Sequence, residues 1–457
     1  MPVRSTADTA PGFSSADAEQ FAHKFFGREG KAKALPSERD QNFLIEIGKD
    51  RRFVLKISNS RETRGHLEFQ NRVIDHVSGY SARKICPRLV PSVDGNQIEK
   101  VESGGGRINM IRLQEYLEGK PLGNVRPHSE ELLIDIGCFT ASLVNAFAGL
   151  EGEAVGKDFI WNPENGPGLI RSALNLFDDE DDRALLMRLL ERVESEENRI
   201  FNLPKGLIHN DGNDYNLIVS LPEKTDLTFG KRNIAGIIDF GDLVHTWRLN
   251  ELAVVLAYAM LDKKNPLPSA AKIVEGYHSV RPLDESELEA LYYLVILRLM
   301  MSVTISAVQK KMRPDDDYLT ISEKGAWALL NKLSDCSPRF VQAVFRRACG
   351  QTPCPHTKEV RAHLRSIQKD IFPVLGHQVR EFSFCVFDLS VGSPLFSRPG
   401  QTDDPDLFGR ILKLQMEESG ACIGIGRYNE ARLMYTSPVF STGDNELDES
   451  RTGHRTS

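Results

Sequence analysis

Residues 209–216 read His209-Asn-Asp211-Gly-Asn-Asp-Tyr-Asn216, a polar loop flanked by two apolar β-type runs, Leu207-Ile208 and Leu217-Ile-Val219. Twenty-three residues beyond Asn216, the apolar run Gly236-Ile-Ile ends in Asp239-Phe240-Gly241-Asp242. A carboxylate, a neutral amide and a second carboxylate, each beside a strand, are what phosphoryl transfer from a nucleotide needs. Asp211 would accept the proton of a substrate hydroxyl and orient that hydroxyl. The transition state is loose, so position counts for more than base strength. The amide oxygen of Asn216 and the carboxylate of Asp239 are hard ligands suited to Mg2+, which takes few protein oxygens and keeps several waters. His209 belongs to this catalytic loop, as a brace rather than a proton carrier. The competing reading is an ordinary turn, which Asn, Asp and Gly favour. Both segments together, in this order and at strand ends, favour the kinase-type site.

On these residues, with Asn250-Glu-Leu-Ala253 and Tyr258-Ala-Met260, the chain resembles the aminoglycoside phosphotransferase and choline kinase superfamily, and within it the hydroxylysine kinases. The likeness covers roughly residues 15–335. It implies an α+β, bilobal protein-kinase-like fold with a β-rich N-lobe and a mostly helical C-lobe, here followed by a small α/β C-terminal extension. It also implies the base at Asp211 and the metal ligands at Asn216 and Asp239. One position departs: Gly212 stands where the superfamily often has an apolar residue, which implies a looser loop.

Such a fold needs a nucleotide-binding lobe, expected at 15–118, with a disordered start at 1–14. Arg52-Phe-Val-Leu-Lys56-Ile-Ser58 is an apolar strand carrying one lysine, like the Val-Ala-Ile-Lys strand of kinases, and Lys56 would contact the α/β-phosphates. A lysine snorkelling at a strand end is the alternative. Glu68, on a helix-period stretch, is chosen as the partner of Lys56 over Glu62, which precedes Gly65. No Gly-x-Gly-x-x-Gly is present; Ser37 and backbone N–H groups of 37–41 would face phosphate oxygens, unless this is a plain hairpin turn. Met110–Gly119 reads as the last strand and the hinge, where backbone groups around Gln114–Leu117, Glu115 and Leu117 among them, would meet the purine.

The C-lobe, expected at 119–335, should bind the acceptor. Asp242 and Glu251 suit an ammonium group, Trp247 a cation–π contact, and Arg248 a carboxylate held in bidentate fashion. A hydroxy-amine or hydroxy-amino acid would meet both signs. Alternatively, Glu251 and Arg248 brace the helix that follows. Trp161 is either a pocket wall or core. Residues 285–311 form one long, nearly all-apolar helix. Arg298 at its middle, with Glu289 and several hydroxyls, argues for a buried helix and against a membrane span.

The 457 residues carry a net charge of −7 and 40% hydrophobic residues, so real cores are affordable, with no global pull toward nucleic acid or anionic membrane. The start lacks an apolar signal region, and seven scattered cysteines do not read as a disulfide framework. A reducing cytoplasm is expected. Cys349, Cys354 and His356 are spaced poorly for zinc.

Beyond about residue 335 the character changes. Helical character is expected at Thr357–Asp370 and Leu407–Glu418, a strand at Phe382–Ser390, and two strands about a turn at Cys422–Arg427 and Arg432–Tyr435, with disorder over 441–457. Asp388-Leu-Ser-Val-Gly-Ser393 and Gly424-Ile-Gly-Arg-Tyr-Asn429 resemble the connector of fusion proteins joining a kinase-like domain to a peptidase-like module and a class III aminotransferase. That likeness implies a docking role for residues 336–440 toward an aminotransferase or lyase partner. The expected activity is transfer of the γ-phosphoryl of ATP or GTP, with Mg2+, to a hydroxyl of an amine or amino acid, hydroxylysine by preference. Aminoglycoside, choline and homoserine remain open as acceptors, as does a non-catalytic docking module.

Overall fold

The computed structural model describes residues 11–37, 40–48, 50–80, 85–103, 106–150, 159–220, 232–312, 323–351, 422–428 and 431–436. The first segments are α1 (Ser15–Phe26), β1 (Lys31–Leu35), β2 (Gln41–Ile47), β3 (Arg51–Ile57), α2 (Arg64–Tyr80), β4 (Leu89–Val90), β5 (Glu99–Ser103) and β6 (Arg107–Glu115). The strands form one antiparallel sheet, in the order β1-β2-β3-β6-β4 with β5 also on β6.

The period of two along each strand decides what this sheet does. Odd-numbered Phe43, Ile45, Phe53, Leu55, Ile57, Ile111 and Leu113 turn to one face, where Ala18, Ala22 and Phe26 of α1 cover them. Even-numbered Lys56 and Arg112 are register partners and turn to the other face. A chemical lysine is thus a by-product of an alternation that builds the core. Ser14 caps α1 reciprocally with Asp17, and Phe13 exchanges hydrogen bonds with Gln41. Residues 13 and 14 therefore belong to the fold, not to a disordered start.

After Glu115 the chain crosses through 116–119 into the second half. There follow β7 (Lys120–Pro121), α3 (Glu130–Ala146), α4 (Gly166–Ala173), α5 (Glu180–Glu194), α6 (Glu197–Phe201), β8 (Lys205–Ile208), β9 (Leu217–Val219), β10 (Ile234–Ile237) and β11 (Val244–Trp247). Helices α7 (Leu249–Ala259), α8 (Pro266–Val280), α9 (Glu285–Met312), α10 (Glu323–Ser334) and α11 (Pro338–Ala348) complete it. Gly119 has φ +151°, and a Cβ there would stand 2.4 Å from the Val219 carbonyl, so the crossing needs glycine.

Helix α9 runs through the middle of a large core shared with α3, α7, α8 and α10. It is long and apolar enough to cross a membrane, yet 89% of its most apolar window is buried inside the protein, as expected of a core helix. Helix α11 sends Val341 and Phe345 into the same core. The helical lobe therefore continues past 335, to Ala348 at least. Beyond it, β12 (Cys422–Tyr428) and β13 (Ala431–Thr436) pair as the antiparallel hairpin read from the sequence. The segments expected at 357–370, 382–390 and 407–418 lie outside the described residues.

Candidate active site

Two short antiparallel pairs hold the polar loop. β8 pairs with β11, and β9 pairs with β10, so residues 209–216 emerge between two anchored strand ends. Leu217 is opposite Ile237, and the Ile238 amide donates to the Asn216 carbonyl at 3.0 Å. This register sets Asp239 beside Asn216. Within the loop, Asn216 Nδ2 donates to Asp211 Oδ2 at 2.6 Å and to the Asp211 carbonyl at 2.9 Å. Asn213 Nδ2 donates to Asp211 Oδ1 at 2.9 Å. From the other lobe, Lys56 Nζ reaches Asp239 Oδ1 at 2.9 Å. Lys56 is 9% exposed, so the snorkelling alternative does not hold. The four residues first singled out for phosphoryl transfer thus form one connected set.

The loop is braced from behind. Asn210, fully buried at φ +65°, gives its amide to Glu251 Oε2 at 3.0 Å and its side chain to the Trp161 carbonyl at 3.1 Å. Asp239 also sits at φ +65°, a conformation that non-glycine residues adopt at a cost and that clusters at functional sites. The Asp211 amide donates to His209 Nδ1 at 3.3 Å, and the His209 ring packs edge-on against Phe240. Burial pushes the His209 pKa down to about 4, against the pull of Asp239 and Asp242. The ring is therefore neutral in the working pH range, packed between the loop backbone and Phe240. Burial, with Asp242 and Asp239 nearby, pushes the Asp211 carboxyl well above the usual range, opposed by Arg298 and Asn213.

Gly212 does not loosen this loop. A Cβ there would stand 2.8 Å from Val255 Cγ2 and 3.3 Å from Glu251 Oε1. The glycine lets the loop lie flat on α7.

Asp239 and Asn216 could hold a divalent cation. Asn216 commits its amide nitrogen to Asp211, so its oxygen is the ligand atom it can offer. Asp239 is half exposed and adjacent. A carboxylate and an amide oxygen fit Mg2+, which completes its shell with water and phosphate.

Several expected positions are not brought to this centre. Glu68 lies on the exposed stripe of α2 with Arg72 and Asp75 and pairs with Arg64 at 2.8 Å, not with Lys56. The inward face of α2 carries Gln70 and Asn71, which both accept from the buried Arg112 at 2.8 Å. Arg112 thus joins α2 to the sheet, and its charge is offset by Asp40, Glu62 and Asp239. Trp247 and Arg248 are carried away by register. Val244 is opposite Ile208, next to the loop, but Trp247 is opposite Lys205, about 10 Å farther along the strand. Trp247 is buried in the core under Lys205. The side chain of Arg248 lies against Gly206. Glu251 is fully buried and serves the loop backbone, so it braces rather than faces an acceptor. Asp242 is buried close enough to Asp211 and His209 to act on their charge. Leu117 is buried against Gly236, on the strand leading to Asp239. The amides of Glu115 and Tyr116, expected near the purine, donate to the Arg88 and Arg52 carbonyls. Ser37 is exposed in the β1–β2 turn.

A family model described as the phosphotransferase enzyme family, APH, matches residues 31–290. The chain belongs to that family. This phosphotransferase is 29% identical over 361 residues to the hydroxylysine kinase of Mus musculus, across 75% of this chain and 95% of that protein. It is 27% identical to the hydroxylysine kinase of Bos taurus, over 75% of this chain and 95% of that protein. It is 25% identical to a homoserine kinase of Bartonella tribocorum, over 64% of this chain and 85% of that protein. Among solved structures, an amicoumacin kinase in complex with AMP-PNP and Ca2+ superposes with TM-score 0.52 at 13% identity, covering 71% of this chain and 94% of that one. A microcompartment-associated aminopropanol kinase also gives TM-score 0.52, at 19% identity, covering 74% and 99%. The fold is the kinase-like α+β fold, with a sheet-rich N-terminal region and a helical C-terminal region. The protein is a small-molecule kinase acting on a hydroxyl group.

Arg298, outside the expected set, and Trp161, expected as a pocket wall or core, also lie beside the loop. Arg298 of α9 lies 3.5 Å from Asp211 Oδ1, and its guanidinium stacks 4.2 Å from the Trp161 ring. The sequence signal for Arg298 was a charge inside an apolar helix. Such a charge argues against a membrane span, and a buried cation also demands an anion nearby.

Proposed function

We propose that this kinase transfers the γ-phosphoryl of ATP or GTP to the side-chain hydroxyl of an amino acid, hydroxylysine first. The observation that carries this is the joined set Asp211, Asn216, Asp239 and Lys56, which unites base, two cation ligands and a phosphate-facing lysine. Asp211 orients the acceptor hydroxyl and takes its proton. Lys56 offers its charge to the donor phosphates, and the buried brace of His209, Asn210 and Glu251 fixes the loop so that little reorganisation is needed. Asn216 and Asp239 would hold Mg2+, which supplies charge neutralisation on the phosphates. The nucleotide base would lie near Leu117, and the turn that carries Ser37 would cover the phosphates. Support for an amino-acid acceptor comes from the relatives: those named hydroxylysine kinase and homoserine kinase both carry names of hydroxylated amino acids.

The test is nucleotide consumption by purified protein with Mg2+, comparing ATP and GTP against hydroxylysine, homoserine, ethanolamine, choline and aminoglycosides. Product formation fastest with hydroxylysine supports the reading. Turnover of aminoglycoside or choline alone, or of none, refutes it. A docking role for the chain beyond α11 toward an aminotransferase or lyase rests on the resemblance of that tail alone. Co-purification from the native host tests it.

A further inference from the structure

Arg298 is the one charged residue between Glu289 and Lys310 of α9, and it is 3% exposed. Its environment is aromatic on two sides. The Trp161 ring lies 4.2 Å from the guanidinium carbon and the Tyr258 ring 5.4 Å. A ring face holds a guanidinium by cation–π attraction without consuming its hydrogen-bond donors. The donors themselves are poorly used. The contact to Asp211 Oδ1 is 3.5 Å and that to the Tyr258 hydroxyl is 3.5 Å. A charge-assisted bond would be about 2.7–2.9 Å. Nε is buried with no hydrogen-bond partner among the described residues. Asp211 already accepts from Asn213 and Asn216. An under-bonded guanidinium, buried between aromatic rings beside Asp211, is suited to a bidentate anion that arrives with the substrate.

We propose that Arg298 receives the carboxylate of the acceptor. This rests on the amino-acid kinase reading and names the determinant of its selectivity. A carboxylate that takes the guanidinium fork anchors one end of the acceptor beside Asp211, the residue proposed to meet the hydroxyl. An acceptor lacking a carboxylate leaves the fork unpaired.

The experiment uses the full chain with Mg2+ and nucleotide. Initial rates are compared for hydroxylysine, its carboxamide and its decarboxylated analogue 1,5-diaminopentan-2-ol. The wild-type protein should lose at least ~100-fold in kcat/KM when the carboxylate is neutralised or removed, since a buried polar group is left unpaired. In Arg298→Gln and Arg298→Lys that ratio should collapse to under ~10-fold. Thermal shift by Mg2+–ADP checks that each variant is folded. Should the Arg298 variants fail to fold, Trp161→Ala takes their place and should lower the same ratio. Equal use of acid and amide by the wild type overturns the proposal but leaves the kinase reading intact. So does a ratio unchanged in a folded variant. Absence of turnover with every hydroxy-amino compound overturns both.

Discussion

Gly212→Ala should cripple turnover while sparing nucleotide binding. The added methyl would stand 2.8 Å from Val255 Cγ2, where carbon atoms ordinarily settle at about 3.5–4.0 Å. The shortfall is about 0.7–1.2 Å. Val255 is 1% exposed within a helix buried on every side, so it cannot yield. The loop must move instead, and Asp211 is the next residue along it. Displacement of a catalytic group by about 1 Å costs roughly 100-fold in rate. Overpacking of this kind also costs about 1–3 kcal/mol of stability. Lys56 and Leu117 are anchored elsewhere, so the affinity for Mg2+–ADP should hold. Adding Val255→Ala removes the obstructing methyl. The double variant should recover at least ~10-fold of the lost rate, a coupling expected only of residues in contact. Steady-state kinetics and calorimetric nucleotide binding on the four proteins of this cycle decide the matter. A Gly212→Ala enzyme with normal kcat, or losses that simply add in the double variant, would refute the packing argument and restore the view of Gly212 as a source of looseness.

Asp211→Asn removes the base and keeps only one of the two oxygens that accept from Asn213 and Asn216, so kcat should drop by at least about 10²–10⁴-fold with nucleotide affinity nearly intact; equal turnover by both forms would instead favour a binding module. Asn216→Ala should raise the Mg2+ concentration for half-maximal rate by roughly 10–100-fold, read from a metal titration after chelation. Glu251 gives a pH signature of stability. Burial raises its pKa from 4.5 to about 7 in the fold. Between those values the unfolded chain loses the proton first, so folding stability should fall as pH rises through this window, by about 3 kcal/mol in all, and stay lower above it. Glu251→Gln still accepts from the Asn210 amide but cannot ionise; urea unfolding at pH 5 and pH 8 should show a smaller difference than in the wild type, and equal differences would count against the buried-carboxyl account.

What was legible in the sequence was local. Asp211, Asn216 and Asp239 each lie next to a short apolar run, and the register of those runs alone brings them together. Lys56 was readable for the same reason: its strand alternates, and the even positions face away from α1. Glu68 failed because two turns of helical pattern do not say which stripe meets the sheet; that depends on Arg112, 44 residues away, choosing Gln70 and Asn71. Trp247 and Arg248 failed because closeness in sequence to Asp239 was taken for closeness in space. The pairing of β11 with β8 turns the chain back along the strand and away from the loop.

The same contrast explains where selectivity is to be found in this enzyme. Groups proposed to handle the nucleotide are fixed by strand ends and so announce themselves in short motifs. Groups that would handle the acceptor come from α9 and from the segment around Trp161, 87 and 50 residues from Asp211. They meet only because α9 is buried along its length and Asn210 ties Trp161 to the loop. A buried helix can change one inward side chain without disturbing the pairs that hold Asp211 to Asn216 and Asp239. One phosphoryl-transfer machine can therefore take different acceptors through substitutions that leave its motif untouched, so acceptor class must be sought at positions such as 298 and 161 rather than in the loop.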